Sequence, residues 1–478
     1  MRLVDGQWDF SGGIDSGKVA TIASDFVPNG LKRTQLAWMT NCTCRTGGIL
    51  QRSGWSKLCR VADPGAGLYQ GGWMYEPRGG DPYLVLSIAG NIVRVRVDTD
   101  NSVENLSTAF GLPNPTTVPQ AFFCQGEEFL VIQAGDYGQV PTPTLPLFWD
   151  GTTLRRSIGI TTTTPTINPG QNELPAATAM DYYMGRLWFA QTRDYGAGDI
   201  VKGLAGTVPF GHRDAILNVT EAPLIFGGDM FTVPSNAGDI RAISHAATLD
   251  TALGDGPLFV FTRKAVYKMT VPVTRGLWTA LTTDNIPSQT LALKANGTYS
   301  DRSVVAVNGD LFFQGPLGIS SLNMAIRYFQ QWGNIPISNN EQRVLQFNDR
   351  SMMRYSSGIL WDNRLWQTCL PVETSAGVAF QGAIPLDFDL ISSLDNQLPP
   401  AWEGMYEGLD FLQLFQGDFG GRQRAFAVVC SKLDQGIDVW ELTEGDRVDN
   451  GGTVETSDNR VVWFAETPAY TFQDETGL

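Results

Sequence analysis

Only two histidines, His212 in PFGHRD and His245 in AISHAA, are available to any Ser-His-Asp or Cys-His arrangement in this chain. Neither stands in a nucleophile elbow or a comparable setting, so each reads as an ordinary loop or core histidine. Zinc needs Cys and His at ligand spacing, and Cys42-x-Cys44 with no nearby histidine does not supply it. Paired carboxylates are better placed. Asp387-Phe-Asp389 and Asp98-Thr-Asp100-Asn have spacings that calcium or a glycosidase acid pair would use. The second pair lacks the Gly and terminal Glu of an EF-hand loop, and it follows a strand where a polar turn is expected anyway. No GxxxxGK[ST] loop and no GxGxxG after a strand is present. The residues therefore predict no catalytic group, no cofactor and no metal: a non-enzymatic protein.

The elements around these residues are strands. Helical periodicity is nearly absent, whereas Ile92-Val-Arg-Val-Arg-Val97 alternates as a half-buried strand does. A polar or Gly-containing turn followed by an aromatic-rich apolar strand recurs seven times, with Leu84, Phe129, Leu187, Leu258, Leu311, Leu365 and Phe426 as equivalent positions, 45 to 71 residues apart. A further strand often follows, as in Ile92-Val-Arg-Val and Asp438-Val-Trp-Glu. The pattern predicts an all-β fold, an irregular β-propeller of six or seven blades, with these strand pairs as adjacent inner strands of each blade. The competing reading is a set of unrelated hairpins in a large sandwich. Trp149-Asp150 and Trp361-Asp362 lack the Gly-His partner of WD repeats, and no Ser-x-Asp-x-Gly-x-x-Trp box of propeller sialidases occurs.

Composition agrees: 42% hydrophobic, 17% charged and 52 glycines in 478 residues suit a turn-rich β protein with a sizeable core. Apolar runs are far shorter than a membrane helix requires, and MRLVDGQWDF does not resemble a secretory leader. The cysteines Cys42, Cys44, Cys59, Cys124, Cys369 and Cys430 have mostly apolar neighbours and read as buried free thiols, a disulfide among the N-terminal ones being the lesser alternative. The net charge of −15 disfavours tight sequence-independent nucleic-acid binding. It is unevenly spread: residues 434–478 hold 11 acids and 2 bases, while residues 1–60 hold 8 bases and 4 acids. Such ends could help segments or subunits meet, with solvated surface charge as the plainer reading.

One stretch is more specific. Ser11-Gly12-Gly13-Ile-Asp leads to Val27-Pro-Asn-Gly-Leu, Gln35 and Asn41, then to Gly47-Gly-Ile-Leu-Gln-Arg52-Ser-Gly54-Trp55. This resembles the N-terminal signature of the tail hub or nozzle proteins of short-tailed bacteriophages, including packaged-DNA stabilisation proteins. Asp229-Met-Phe-Thr-Val-Pro, Gly238-Asp-Ile-Arg-Ala-Ile with Leu258-Phe-Val-Phe, Leu317-Gly-Ile-Ser-Ser-Leu and Asn334-Ile-Pro-Ile-Ser338 resemble later segments of that family. The resemblance makes Gly12, Gly13, Asn41, Arg52 and Gly54 structural motif positions. It implies an extended N-terminal arm leading into the propeller over 1–60, a propeller over 61–445 and an acidic C-terminal β segment over 446–478. It implies a virion tail protein assembled in the host cytoplasm, in a homo-oligomeric ring of six. Its partners would be adaptor or portal proteins on one side and tail fibres or tip proteins on the other. Viral DNA would pass without specific binding, along a lumen lined by acids of residues 434–478 or of the blade loops. The alternatives are a carbohydrate- or receptor-binding propeller module and, less favoured, a propeller glycoside hydrolase.

Overall fold

Two-residue turns set the local pattern. In the computed structural model, Ala89-Gly90, Met184-Gly185, Asn308-Gly309 and Asp362-Asn363 all have positive φ at both positions. That conformation matches the right-handed twist of the strands it joins, and Asn-Gly adopts it at least cost. The structure describes residues 9–23, 27–98, 100–136, 142–157, 174–199, 231–246, 256–270, 289–329, 336–390, 400–443 and 459–469, with 140, 159, 448 and 449.

The strands form a β-propeller. Five blades are separate antiparallel sheets. Blade 1 holds Tyr69–Tyr75, Tyr83–Ile88, Asn91–Val95 and Val103–Asn105. Blade 2 holds Phe122–Gly126, Phe129–Gln133, Leu147–Trp149 and Leu154–Arg156. Blade 3 holds Met180–Tyr183, Arg186–Gln191, Asp194–Asp199 and Phe231–Thr232. Blade 4 holds Ile240–His245, Leu258–Thr262, Ala265–Met269 and Gln289–Lys294, and blade 5 holds Val305–Val307, Asp310–Gly315 and Gly318–Ser321.

An eight-stranded sheet closes the ring. Along it run Gly358–Trp361, Arg364–Thr374, Gly377–Asp387, Tyr406–Phe419, Arg422–Cys430, Ile437–Leu442 and finally Trp55–Ala62, with Ala401–Trp402 paired beside Gly377–Asp387. Tyr406–Phe419 is long enough to serve two neighbours: Tyr406 and Glu407 pair with Ala383 and Gly382, whereas Asp410 to Phe419 pair with Arg422–Cys430. This sheet therefore contributes two axial strands, Gly358–Trp361 and Tyr406–Phe419. Five separate blades together with this fused sheet put the count near the expected six or seven.

The seven equivalent positions read from the sequence all fall on the second strand of a unit. Leu84, Phe129, Leu187, Leu258 and Leu311 lie in blades 1 to 5, and Leu365 and Phe426 lie in the closing sheet. Those strands are covered on both faces, so their sequences are continuous apolar runs rather than alternating ones. The expected pairs are thus the two middle strands of each blade. The strand nearest the axis precedes them and carries a more mixed sequence.

Ring closure uses the N-terminus: Trp55–Ala62 supplies the outer strand to Ile437–Leu442. A boundary at residue 60 would cut this strand, so the arm ends at Gly54. The arm is pinned by Trp38–Thr40, which pairs with Phe464–Glu466, so the C-terminal acidic segment packs on the arm. Its apolar face, with Ile14, Leu36, Trp38 and Met39, joins Phe312, Ile319, Leu365 and Trp402 in one core. Among the described residues no helix is long and apolar enough to cross a membrane.

Candidate functional site

The motif residues of the arm converge on one buried knot. Asn41 takes φ 54°, a conformation Asn tolerates better than most side chains. This turns its amide so that Oδ1 accepts from Arg52 Nε at 2.8 Å and from the Glu407 amide at 2.8 Å, while Nδ2 donates to Val462 O at 2.9 Å. Arg52, only 2% exposed, donates from Nη1 to Asp449 Oδ1 at 2.9 Å and from Nη2 to Asp449 Oδ2 at 2.8 Å. Its remaining donors reach Ser53 O and Glu407 O, and its guanidinium lies 3.6 Å over the Trp55 ring. Such a planar fork with every donor used is a role Lys cannot fill. Gly54 is required because a Cβ there would stand 1.9 Å from Val448 O. Gly12 and Gly13 lie apart from this knot. A Cβ on Gly12 would meet Thr34 Oγ1 at 2.6 Å, and one on Gly13, at φ +62°, would meet Trp402 O at 2.3 Å.

A second knot holds the arm to the closing sheet. Arg45 donates from Nε to Asp387 Oδ2 at 2.7 Å and from Nη1 to Asp362 Oδ2 at 2.8 Å, and it pairs with Asp389 at 3.1 Å. Arg364 donates from Nε to Glu403 Oε2 at 2.9 Å and lies 3.0 Å from Asp387. Glu403 is fully buried and also accepts from Tyr406 Oη at 2.9 Å and the Cys44 amide at 3.2 Å. Burial pushes its carboxyl up, against the pull of Arg364. Asp387 and Asp389 are therefore occupied by arginine rather than presented to a cation. Arg45, Arg364 and Glu403 had no motif to mark them, since their partners lie hundreds of residues away or across strands. Asp100 accepts from the Ser102 amide at 3.0 Å, the polar turn expected after that strand.

The described acids of the C-terminal end are paired, three of them with bases of the N-terminal end. Asp438 meets Lys57 at 3.0 Å, Asp434 meets Arg60 at 2.8 Å, and Asp449 meets Arg52. Glu441 accepts from Arg424 at 2.6 Å, and Glu466 from Arg343 at 2.7 Å. These five of the 11 acids hold segments of the chain together.

The propeller axis forms a cavity of about 680 Å³. Trp73, Gln125, Asp181, Ile243, Arg302, Ile359 and Gln413 line it, one from each axial strand or the turn just before it. Its titratable lining is mostly acidic, with Glu76, Glu127, Asp181, Asp301 and Asp418 against Arg302. Arg302 is committed to the Ala121 carbonyl at 3.0 Å, and Asp301 accepts from Gln120 at 3.0 Å. Asp181 Oδ2 sits 2.8 Å from His245 Nδ1, tying blade 3 to blade 4, and the imidazole packs on Tyr183 with centroids 4.9 Å apart. Burial pushes the Asp181 carboxyl up, and His245 opposes the shift. His212 and Asp229 lie outside the described residues. Among the described residues no group of three or more His, Cys, Asp or Glu could hold a metal ion. All six cysteines are free, five of them buried.

No family model and no curated protein matches the sequence. Solved structures resemble it distantly. YCF48 from Cyanidioschyzon merolae matches with a TM-score of 0.32 and 9% identity over 81% of this chain and 98% of that one. BBS1N, solved in complex with ARL6DN and soaked with mercury, matches with a TM-score of 0.40 and 12% identity over 83% and 99%. Likenesses of this size carry no argument about function, and the architecture rests on the strand pairing above.

Proposed function

We propose that this chain is a structural subunit of a bacteriophage tail, part of a hub or nozzle ring that lines the DNA conduit, retains packaged DNA and lets it leave during ejection. The reading rests on the arm. Asn41, Arg52 and Gly54, three positions on which the resemblance depends, fasten the arm and residues 448–449 to the strand that closes the propeller. Their role is mechanical, and it suits a subunit whose work is to stay closed under load while no bond is made or broken. The ring would be homo-oligomeric, of six copies, between adaptor or portal proteins and tail fibres or tip proteins. Because the described acids of the C-terminal segment are paired internally, the weak repulsion that keeps DNA from adhering falls to acids of the blade loops.

Mass photometry and negative-stain imaging of the purified chain, alone and with candidate adaptor or portal proteins, test this. A closed ring is the expected outcome; a monomer that stays a monomer with every such partner would sink it. A sugar-binding module is favoured by one observation, the 37% exposure of Trp73 on the wall of the axial cavity. Glycan-array binding lost in Trp73→Ala would move the assignment there.

A further inference from the structure

Beyond the clamp, one carboxyl among the described residues of the arm interface is buried with no cation to pair with it. Glu341 ends the 3-10 turn Ile337–Glu341 and is 0% exposed, and no donor among the described residues meets either carboxylate oxygen at full hydrogen-bond geometry, the Gly404 amide being the group that reaches toward it. It lies behind the arm's docking contacts. Ser16 donates from its amide and from Oγ to Asn340 O at 2.9 and 2.8 Å, and Ser16 Oγ accepts from the Arg343 amide at 3.1 Å. On either side the Ile14 amide donates to Trp402 O at 2.9 Å, and Trp402 Nε1 to Ile337 O at 2.9 Å.

The charges around it do not favour an anion. Asp15 faces it from the arm, itself buried and paired with Lys18 at 3.3 Å, and Cys369 faces it from the closing sheet. Arg343, two residues on, is turned to Glu466 at 2.7 Å. An unpaired carboxylate enclosed in this way is costly, so the group keeps its proton.

We infer that the proton on Glu341 is a latch: residues 12–16 of the arm dock while Glu341 is neutral and leave the propeller when it ionises. Burial, with Asp15 adding to it and the Gly404 amide offsetting part, raises the carboxyl from 4.5 to about 8. The sign follows. In the released state Glu341 ionises above pH 4.5, so docking weakens by up to about tenfold per pH unit from there to about 8 and then levels off. The arm therefore loosens at mildly alkaline pH while the blades stay folded. A chain that must keep its arm docked in one setting and offer it to a neighbour in another gains a trigger without any ligand.

Hydrogen–deuterium exchange of the full chain between pH 6 and 9, corrected for intrinsic rates, tests the latch on the peptide covering residues 12–18, with residues 83–88 as the blade control. The expected result is a loss of arm protection of at least tenfold between pH 6.5 and 8.5 with the blade unchanged, and a flat profile in Glu341→Gln. Asp15→Asn should bring the docked carboxyl down, so that the loss of arm protection levels off at lower pH and is smaller than in the native chain. Arm protection that ignores pH in the native chain, or a Glu341→Gln variant that loosens at the same pH, overturns the inference. Should Glu341→Gln lose blade protection, Asp15→Asn decides, and a loss of arm protection as large as the native chain's there overturns it equally.

Discussion

Arg52 and Asp449 stand 397 residues apart in the chain and meet through two parallel hydrogen bonds of 2.9 and 2.8 Å in a buried site. The pair joins the last residues of the arm to the C-terminal segment beside the strand that closes the ring. Asp449 Oδ1 also accepts from the Trp55 amide at 3.0 Å, so the first residue of the closing strand is held by the same carboxylate.

Removing one partner leaves the other buried and unpaired. Arg52→Ala is expected to cost about 3–5 kcal/mol, and Arg52→Lys most of that, because an ammonium cannot bridge both oxygens while also meeting Asn41 and Glu407. Urea unfolding followed by tryptophan fluorescence measures both; a loss below about 1 kcal/mol in Arg52→Ala contradicts the role given to the pair.

Gly54→Ala places a methyl group 1.9 Å from Val448 O, where only backbone movement makes room. The loss should reach the upper end of about 1–3 kcal/mol. Gly65→Ala is the control for general loss of glycine, since a Cβ there meets nothing within 4 Å although its φ of +77° adds some strain. Thermal melts of the two variants should separate clearly, with Gly54→Ala the lower.

Deleting residues 1–62 removes the strand Trp55–Ala62 and bares the edge of Ile437–Leu442, whose residues are largely buried. Unpaired edges of this kind recruit other chains. The shortened chain should aggregate on size exclusion. Deleting only residues 1–54 keeps the strand, and that chain should stay soluble while melting well below the intact one.

Burial pushes the Cys42 thiol up to about 11 and the Cys59 thiol up to about 12. At pH 8 both are held as thiols, and the thiolate is the reactive form. An aromatic disulfide reagent at that pH should modify the native protein slowly and reach six equivalents only after denaturation, as six free cysteines require. Fewer than six in denaturant without reductant would reveal a bridge.

Glu341 also gives global stability a pH signature. Its carboxyl sits at about 8 in the folded chain against 4.5 as the ordinary value, so the unfolded chain sheds this proton first as pH rises. This group's contribution is full below pH 4.5 and declines by at most about 1.4 kcal/mol per unit up to pH 8. Glu341→Gln should be the more stable protein at pH 8 and close to the native chain at pH 4.5. Equal stability at pH 8 in chemical denaturation would refute this.

The sequence by itself determined the repeated middle strands. A strand covered on both faces must be apolar along its whole length, and a two-residue turn needs Asn, Asp or Gly, so Leu311 after Asn308-Gly309 is legible without any partner in view. The buried thiols were readable for the same reason, since their neighbours are apolar. Gly12, Gly13, Asn41, Arg52 and Gly54 could be picked out as positions, but their contacts could not. The axial strands were missed, because they face both a polar channel and the neighbouring blades and so carry no single period. Tertiary structure alone decided that Asp387 meets Arg45 and Arg364 rather than a cation, that Asp449 answers Arg52, and that Glu341 is buried with no cation among the described residues to answer it. Local patterns follow from backbone geometry within a few residues. These pairings depend on the register in which a ring of sheets closes on its own N-terminus, and only the assembled chain sets that register.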